Sequence, residues 1–283
     1  MLKSVIAKRE VTLHILKTFG IHTAKKLGQN FLIDESVVQR IVEAAEITAS
    51  DTVLEVGPGI GTLTQGLAET QAEVVAVELD QKLISVLAKT LEGYENVRVV
   101  HNDILKLDIV AEIPGKTFKV VANLPYYITT PIIMNLLEHK LPIELLVTMV
   151  QKEVAERMVA APGGKDYGAL SVAVQYYTLP EIMFLVPPRS FIPSPAVESA
   201  VIRCRVRKEP PVKVQSEKTF FRVVRASFAQ RRKTLSNSLK AAGIGGEVCQ
   251  SILTEAGIDG MRRGETLSLE EFAAVANAWD IYQ

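Results

Sequence analysis

The spacing of apolar residues predicts an alternation of short buried strands and amphipathic helices over most of the chain. The apolar strand runs occupy residues 52–56, 73–77, 97–100, 118–122 and 143–150. Helical spacing lies between them, over residues 61–69, 82–91 and 132–138. Near-continuous apolar strands separated by helices are typical of a parallel sheet covered on both faces. We therefore predict an α/β fold with a mostly parallel, Rossmann-like sheet.

The segments outside this alternation predict further elements and a division into domains. An amphipathic run at 5–19 predicts an N-terminal helix. Two late strands, at 182–186 and 200–206, are joined by a proline-rich loop and predict an antiparallel edge strand. From residue 218 onward the pattern is helical, with glycine breaks. We predict a sheet domain with an N-terminal arm at 1–207 and a small all-helical domain at 208–283.

Positive charge is concentrated in one segment of a chain that is neutral overall. The sequence has 32 basic and 32 acidic residues, but residues 203–240 hold 12 Lys or Arg against 2 Asp or Glu, a net charge of +10. Such a segment in a neutral chain indicates a polyanionic partner. A solvated helical face is the alternative, and we favour the polyanion.

Cysteine usage argues against a metal site. The only cysteines are Cys204 and Cys249, with no CxxC pair and no His/Cys cluster, so we predict no metal. Two isolated cysteines fit a reducing cytosol, and we predict a cytoplasmic protein. No apolar run reaches the ~20 residues that span a bilayer. The N-terminus also lacks the apolar core of a signal peptide.

A glycine-rich segment connects the first strand of the predicted sheet to its helix. Its spacing, G-x-G-x-G from Gly57 to Gly61, differs from the G-x-G-x-x-G of the dinucleotide fingerprint, because Thr62 stands at the third glycine position. No Gly-Lys-Ser/Thr follows, which excludes a P-loop. Glycines at such a turn let the backbone approach a ligand closely, although many serve packing alone.

Acidic residues follow the next two strands. Glu78 ends the second strand, where a carboxylate can accept hydrogen bonds from both hydroxyls of a ribose. Asp103 follows the third strand, where a carboxylate can accept from an adenine amine. Ligands of open parallel sheets bind at the carboxyl ends of the strands, so Gly57, Glu78 and Asp103 are expected in one site. The combination resembles the S-adenosylmethionine-dependent methyltransferases. This implies S-adenosyl-L-methionine as cofactor and S-adenosyl-L-homocysteine as product.

The fourth strand runs into the segment NLPYY at 123–127. Pro125 restricts Leu124 to an extended backbone, so the Leu124 carbonyl has a preset direction beside the side-chain carbonyl of Asn123. Two such acceptors can hold the two hydrogens of one amino group, and Tyr126 offers a face for base stacking. A plain turn is the alternative, since Asn and Pro are ordinary turn residues. The glycine loop and acids upstream favour the binding interpretation, and the segment resembles motif IV of the amino-methyltransferases.

Three further segments narrow the resemblance. They are LGQNFL at 27–32, FIPSPAVES at 191–199 and FAQRRKTL at 228–235. Together with NLPYY they resemble the bacterial small-subunit (16S) ribosomal RNA adenine N6-dimethyltransferases, the enzymes linked to kasugamycin sensitivity. The resemblance covers nearly the whole chain. It implies dimethylation of N6 on two adjacent adenines in the 3′-terminal hairpin loop of 16S ribosomal RNA. The substrate would be the small (30S) ribosomal subunit or its precursor, with four methyl transfers and a role in small-subunit biogenesis.

The same resemblance implies roles for individual residues. Those that would bind the cofactor are Asn30, Leu32, Gly57, Glu78, Asp103 and Asn123. Those that would act on the target adenine are Asn123, Leu124, Tyr126 and Phe191. Phe191 would stack on the base face opposite Tyr126, from a loop whose prolines suit one exposed aromatic; a core anchor is the alternative. Tyr127 is left out of the site, with the core as its expected place.

The basic segment is assigned to RNA docking. The residues predicted to contact phosphates are Arg222, Arg225, Arg231, Arg232 and Lys233, whereas the apolar positions between them are assigned to the core. Phosphate contacts carry no sequence information, so the shape of a folded particle and accessible loop bases would choose the target. We expect the protein to act as a monomer.

Three alternatives stay open. The nearest is a large-subunit (23S) ribosomal RNA adenine N6-methyltransferase of the macrolide-resistance type, against which the QRRKTL run and the F-x-P-x-P loop argue. The second is a non-catalytic ribosome-assembly RNA-binding protein, against which the intact glycine loop, Glu78 and Asn123 argue. The third is a small-molecule methyltransferase, for which the basic segment would have no purpose.

Overall fold

Two compact units make up the chain in the computed structural model, which describes residues 4–21, 30–230 and 232–282. The first unit contains Met1–Ala155 and Pro180–Val206, and the second contains Glu156–Leu179 and Arg207–Gln283. The domain division predicted at residue 207 stays a prediction. The units differ from it in two respects: residues 156–179 group with the C-terminal helices, and Arg207 also belongs to the second unit.

Within the described residues, a seven-stranded sheet is the centre of the first unit, with the strand order β4-β3-β2-β5-β6-β9-β7. Its strands are β2 (Thr52–Val56), β3 (Glu73–Glu78), β4 (Val97–His101), β5 (Phe118–Asn123), β6 (Ile143–Gln151), β7 (Thr178–Val186) and β9 (Ser199–Val206). The neighbours from β4 to β6 are parallel, and β9 is antiparallel to β6. A separate antiparallel pair consists of β1 (Phe31–Leu32) and β8 (Phe191–Ile192). The predicted mostly parallel Rossmann-like sheet with an antiparallel strand is thereby confirmed.

Helices precede, connect and follow the parallel strands of the first unit, and α3 to α6 are the ones that connect them. They are α1 (Arg9–Thr18), α2 (Glu35–Ala44), α3 (Thr62–Glu69), α4 (Gln81–Thr90), α5 (Ile109–Glu112), α6 (Thr129–Glu138) and α7 (Lys152–Val159), the last of which crosses into the second unit. Every residue of β2 is buried, as expected for a strand covered on both faces. Asp80 begins α4 by accepting a hydrogen bond from the backbone N–H of Lys82.

The second unit is helical, with β7 entering it only at its first residues. Its helices besides the end of α7 are α8 (Ala169–Tyr177), α9 (Glu217–Ala229), α10 (Leu235–Ala241), α11 (Gly246–Glu255) and α12 (Leu269–Asp280). Ser216 caps α9, and Ser268 forms a capping box with Glu271 at α12. The buried ring of Phe220 stacks on Tyr176 at 4.8 Å, so α8 and α9 share one aromatic core.

The sequence pattern did not predict two short strands that form through tertiary contacts. β1 and β8 are two residues each, and they pair across the chain through Leu32 and Phe191. Helix α8 was also missed, because its residues are apolar around most of its circumference and show no period. In the part of the chain that the structure describes, no helix is long and apolar enough to cross a membrane.

The aromatic core of the second unit generates a stability prediction. Phe220→Ala is expected to lower the free energy of unfolding by about 3–5 kcal/mol, because it leaves a cavity beside Tyr176. Urea denaturation followed by circular dichroism measures the change. Val248→Ala, at a partly exposed position of α11, is the control and is expected to change it by less than about 1 kcal/mol. Equal effects of the two substitutions would show that Phe220 is not a core residue.

Candidate active site

The carboxyl ends of four neighbouring parallel strands place the predicted site residues in one row. Val56 pairs with Val77 and Glu78 with His101, so β2, β3 and β4 end together, and β5 ends beside them at Asn123. A cavity of about 330 Å³ opens at this edge of the sheet. The predicted residues that line it are Asn30, Leu32, Gly57, Glu78, Asp103, Asn123, Leu124 and Tyr126.

The glycine loop after β2 uses backbone conformations that favour glycine. Gly57 and Gly59 have φ angles of 70° and 61°, in the left-handed region. A Cβ atom on Gly59 would lie 3.6 Å from the ring of Phe31, so the backbone passes close to the N-terminal arm. The loop therefore presents main-chain atoms to the cavity.

Glu78 is a buried acid that also holds the glycine loop. Its carboxylate accepts hydrogen bonds from the N–H groups of Gly59 at 3.2 Å and Asp80 at 2.8 Å. Burial raises the pKa of Glu78 from its ordinary value. A carboxylate has about four lone-pair positions, so two bonds to the backbone leave acceptor capacity facing the cavity.

The loop after β4 supplies a second acid. Asp103 accepts a hydrogen bond from the backbone N–H of Leu105 at 3.1 Å, and its own N–H donates to the side chain of Asn102 at 2.8 Å. Both Asn102 and Ile104 also line the cavity. The loop thus combines polar groups with an apolar wall, as a site for a nucleoside base requires.

The N-terminal arm reaches the cavity through Asn30 and Leu32. The Asn123 amide nitrogen donates to the backbone carbonyl of Asn30 at 3.4 Å, and Leu32 is buried in β1. This bond uses the nitrogen of Asn123, so the side-chain carbonyl oxygen is not part of it. Residues 27–29 of the LGQNFL segment lie outside the described residues.

The segment after β5 is a turn that opens into the cavity. The N–H of Leu124 donates to Met149 at 3.2 Å, which extends the pairing of β5 with β6 by one bond. The carbonyl of Pro125 then accepts from the N–H of Ile128 at 3.2 Å and the hydroxyl of Thr129 at 3.0 Å. The turn and the site are therefore one structure, because the bonds that form the turn also place the segment at the cavity.

The burial of two aromatic residues, Phe191 and Tyr127, differs from what the sequence predicted. Phe191 is only 1% exposed and packs in the core of the first unit beside Leu32, so the expectation of an exposed aromatic there is wrong. It is not among the residues that line the cavity, and its stacking role stays a prediction. Conversely, Tyr127 is 56% exposed and lines the cavity, so its expected place in the core is wrong.

Glu55 is a residue that sequence reasoning missed. It lies within β2, is 1% exposed and lines the cavity. Among the described residues, its Oε2 atom has no hydrogen-bond partner. Burial raises the pKa of Glu55 to about 8, and the negative charge of Glu78 adds to the rise. At neutral pH Glu55 is therefore protonated and can donate a hydrogen bond. The signal in the sequence was an acid inside an otherwise apolar strand.

The predicted RNA-docking residues that the structure describes lie in the second unit. Arg222 and Arg225 lie on the exposed face of α9, three residues apart, and Arg232 and Lys233 are exposed beyond its end. The guanidinium of Arg222 lies over the ring of Trp279, 4.3 Å from its centroid. Arg231 lies outside the described residues.

Within the residues that the structure describes, no cluster of three His, Cys, Asp or Glu side chains forms a metal site.

Comparison with known proteins decides the family. The profile of the ribosomal RNA adenine dimethylase family matches residues 21–279. The chain belongs to this family. Ribosomal RNA adenine dimethylases use the activated methyl group of S-adenosyl-L-methionine, so the chain is an S-adenosylmethionine-dependent ribosomal RNA adenine dimethyltransferase. The glycine loop, Glu78 and Asp103 around one cavity fit that cofactor.

Similar proteins agree with this assignment to the dimethylases. "Ribosomal RNA small subunit methyltransferase A" of Geobacillus sp. (strain WCH70) is 53% identical, over 94% of this chain and 95% of its own length. The protein of the same name in Alkaliphilus oremlandii is 49% identical, over 96% and 97%. A dimethyladenosine transferase from Plasmodium falciparum has a TM-score of 0.74 at 26% identity, over 87% of this chain and 95% of its own. The 23S rRNA methyltransferase ErmE has a TM-score of 0.67 at 30% identity, over 89% and 100%.

The protonated Glu55 generates a prediction for the dimethylase. The unfolded chain loses this proton near the ordinary pKa of 4.5, whereas the folded protein keeps it up to about pH 8. The contribution of Glu55 to stability is therefore largest below pH 4.5 and falls as the pH rises towards 8, by up to about 1.4 kcal/mol per pH unit. Glu55→Gln removes this titration. We expect the wild type to lose stability relative to the variant between pH 5 and 8 in urea denaturation. Parallel stability curves would show that Glu55 is ionised in the folded protein.

Proposed function

We propose that this dimethyltransferase modifies N6 of two adjacent adenines in the 3′-terminal hairpin loop of 16S ribosomal RNA. The substrate is the small (30S) subunit or its precursor in the cytoplasm, and the enzyme acts as a monomer with a role in small-subunit biogenesis. Complete reaction takes four methyl transfers and yields S-adenosyl-L-homocysteine each time. Relatives near 50% identity carry a small-subunit name, whereas the 23S enzyme is 30% identical, and this difference favours the small subunit.

The observation that carries the proposal is the order of groups along the strand ends. The neighbouring strands β4, β3, β2 and β5 present Asp103, Glu78, Gly57 and Asn123 in that order. Neighbouring strands are about 4.8 Å apart, so the row is about 14 Å long. An extended S-adenosyl-L-methionine has its adenine at one end, then its ribose and then its methionine part. The target amine comes next, so these four ligand groups follow the same order as the four residues. A row of four groups in matching order supports one ligand lying across four strands.

The cofactor is bound by the residues of the first three strand ends together with the arm. Asp103 accepts from the adenine amine, Glu78 accepts from the ribose hydroxyls, and the backbone of the Gly57 loop contacts the methionine part. Asn30 and Leu32 close the site from the N-terminal arm. When bound, S-adenosyl-L-methionine supplies an electrophilic methyl group on its sulfonium.

The target amine is positioned by two acceptors at the end of β5. The side-chain carbonyl of Asn123 and the backbone carbonyl of Leu124 accept the two N6 hydrogens, and the ring of Tyr126 stacks on the base. The lone pair of an adenine amine is delocalised into the ring, so acceptors that favour a tetrahedral nitrogen direct the lone pair at the methyl group. The proton leaves to water after transfer. The adenine has to leave its stack to reach this position.

RNA docking is assigned to the basic residues of the helical unit. Arg222, Arg225, Arg232 and Lys233 are exposed, and the segment around them is almost entirely positive, with a net charge of +10 over residues 203–240. Arg231 completes the proposed set by its place in the same run. These charges bind phosphates, which gives affinity without a choice of sequence.

A methylation assay tests the choice of substrate. Small subunits from cells that lack this activity are expected to accept labelled methyl groups from S-adenosyl-L-methionine, found as N6,N6-dimethyladenosine near the 3′ end of 16S RNA. Label in 23S RNA would indicate the macrolide-resistance type of activity, and label in neither RNA would refute the proposal. Asn123→Ala is expected to lose transfer by at least about 100-fold, because it removes an acceptor for the target amine. Subunit binding is expected to stay within about 2-fold, because the proposed docking residues are unchanged. Equal loss of binding and transfer would mean that Asn123 has a structural role.

The salt dependence of subunit binding tests the docking residues. The double variant Arg225→Ala/Arg232→Ala is expected to bind more weakly and to have a slope of log K against log salt smaller by about 1 to 2, because two phosphate contacts are lost. The matched control is Lys89→Ala/Lys116→Ala, which removes the same charge from exposed positions of the first unit. The control is expected to keep the wild-type slope. Equal slopes for the wild type and the arginine variant would remove Arg225 and Arg232 from the interface.

A further inference from the structure

A hydrogen bond connects the proposed stacking residue to the antiparallel strand of the sheet. The phenol oxygen of Tyr126 lies 2.6 Å from the hydroxyl of Ser199, the first residue of β9. Ser199 is fully buried, and Tyr126 is partly buried. We propose that Ser199 is a positioning residue that sets the plane of the Tyr126 ring for the target base. This inference rests on the proposed stacking role of Tyr126.

The hydrogen bonds of the turn do not by themselves set the orientation of the Tyr126 ring. The backbone N–H of Ile128 and the hydroxyl of Thr129 donate to the carbonyl of Pro125 and hold the turn, but these bonds do not act on the side chain of Tyr126. Two side-chain torsions then set the plane of the ring. A stacked base is held parallel to that plane, so each rotation of the ring moves the target amine relative to its acceptors. The phenol oxygen lies on the axis of the second torsion, so the bond to Ser199 fixes the first torsion directly. It orients the second torsion as well, because the O–H group of a phenol prefers the plane of the ring and Ser199 sets the direction of that group.

The phenol hydroxyl has no other part in the proposed site. Stacking uses the face of the ring, which phenylalanine would offer equally. Burial raises the pKa of Tyr126, so the phenol keeps its proton at neutral pH and can donate to Ser199. A protonated hydroxyl directed at a buried partner is suited to hold the ring in one orientation.

Ser199 is a rigid partner because of its place in the sheet. It pairs with Gln151 in the antiparallel ladder of β6 and β9. The backbone N–H of the next residue, Lys152, donates to the carbonyl of Glu198 at 3.0 Å, and the side chains of this pair form an ion pair at 3.0 Å. These two contacts with Lys152 therefore also fix the position of Glu198, the residue before Ser199. A hydroxyl on such a support can fix the position of a side chain on a turn.

The reversed direction of β9 explains why this contact exists. The parallel strands β5 and β6 end at the cavity edge, at Asn123 and Gln151. A strand that runs antiparallel to them begins at that edge, so the first residue of β9 comes beside the NLPYY segment. A parallel strand would bring its last residue there instead. The segment from Phe191 to Ser199 thus ends in the anchor of the stacking residue.

The second methyl transfer is the step most sensitive to this anchor. The monomethylated amine has one hydrogen left for the two acceptors, so the acceptors hold it less firmly than the unmodified amine. Ring stacking then carries more of the positioning. Loss of the anchor is expected to raise the fraction of N6-monomethyladenosine among the products, a result that a general loss of folded protein would not produce.

The experiment compares Ser199→Ala, Tyr126→Phe and the double variant on small subunits. Each single variant is expected to lower kcat by about 5- to 10-fold, the size expected for one lost hydrogen bond, with S-adenosyl-L-methionine affinity unchanged. The double variant is expected to match the single variants within about 2-fold, because both remove the same bond. Mass spectrometry of nucleosides is expected to show a raised monomethyl fraction in all three. Calorimetry measures the cofactor affinity.

A matched control removes another buried serine hydroxyl of the same unit. Ser190 is buried, and its hydroxyl donates to the carboxylate of Asp34 at 2.9 Å rather than to Tyr126. Ser190→Ala is expected to keep the wild-type monomethyl fraction. If Ser199→Ala does not fold, Tyr126→Phe decides alone, since it leaves Ser199 in place and removes only the phenol hydroxyl.

Failure of this inference differs from failure of the proposed function. If Tyr126→Phe or Ser199→Ala has the wild-type kcat and product ratio while Tyr126→Ala is inactive, the anchor is refuted and stacking stands. If Tyr126→Ala is fully active, the stacking role itself is refuted. If the defects of Ser199→Ala and Tyr126→Phe multiply in the double variant, Ser199 acts through the fold and the inference is overturned.

Discussion

The parallel register of four neighbouring strands is the constraint on which the active site depends. Because β4, β3, β2 and β5 point in the same direction, the loops that follow them meet at one edge of the sheet. Residues far apart in the chain, such as Gly57 and Asn123, line the same cavity for this reason. A shift of one residue in a strand would turn its side chains to the opposite face and remove Glu78 from the row.

Burial at this edge determines the chemistry of the polar groups. Glu55 and Glu78 both have raised pKa values because they are removed from water. Protonation of Glu55 removes one of two negative charges that would otherwise repel each other under the glycine loop. Hydrogen bonds are also stronger in surroundings from which water is excluded. A site built this way can direct a weak nucleophile with acceptors alone, without a strong base.

The proposed catalytic residues and the proposed RNA-docking charges lie in different units. The cavity and its lining belong to the first unit, whereas the exposed arginines of α9 belong to the second. Phosphate binding needs many charges on a surface, and amine positioning needs a few acceptors in a cavity. These demands on burial are opposite, and we propose that different parts of the fold meet them. The anchor proposed at Ser199 belongs to the catalytic part.

The sequence by itself determined the parallel sheet and the row of polar groups at its edge. Buried parallel strands are apolar throughout, so the runs that became β2 and β5 could be recognised without a structure, and Glu78 and Asn123 followed from their places at strand ends. Phe191, Tyr127 and Glu55 were decided only by the tertiary structure. Exposure and pKa depend on neighbours that are distant in the chain: Phe191 is buried because β8 pairs with β1, and Glu55 is protonated because the elements around it exclude water. The contact of Tyr126 with Ser199 likewise exists only because β9 runs against β6, a direction that no local pattern encodes.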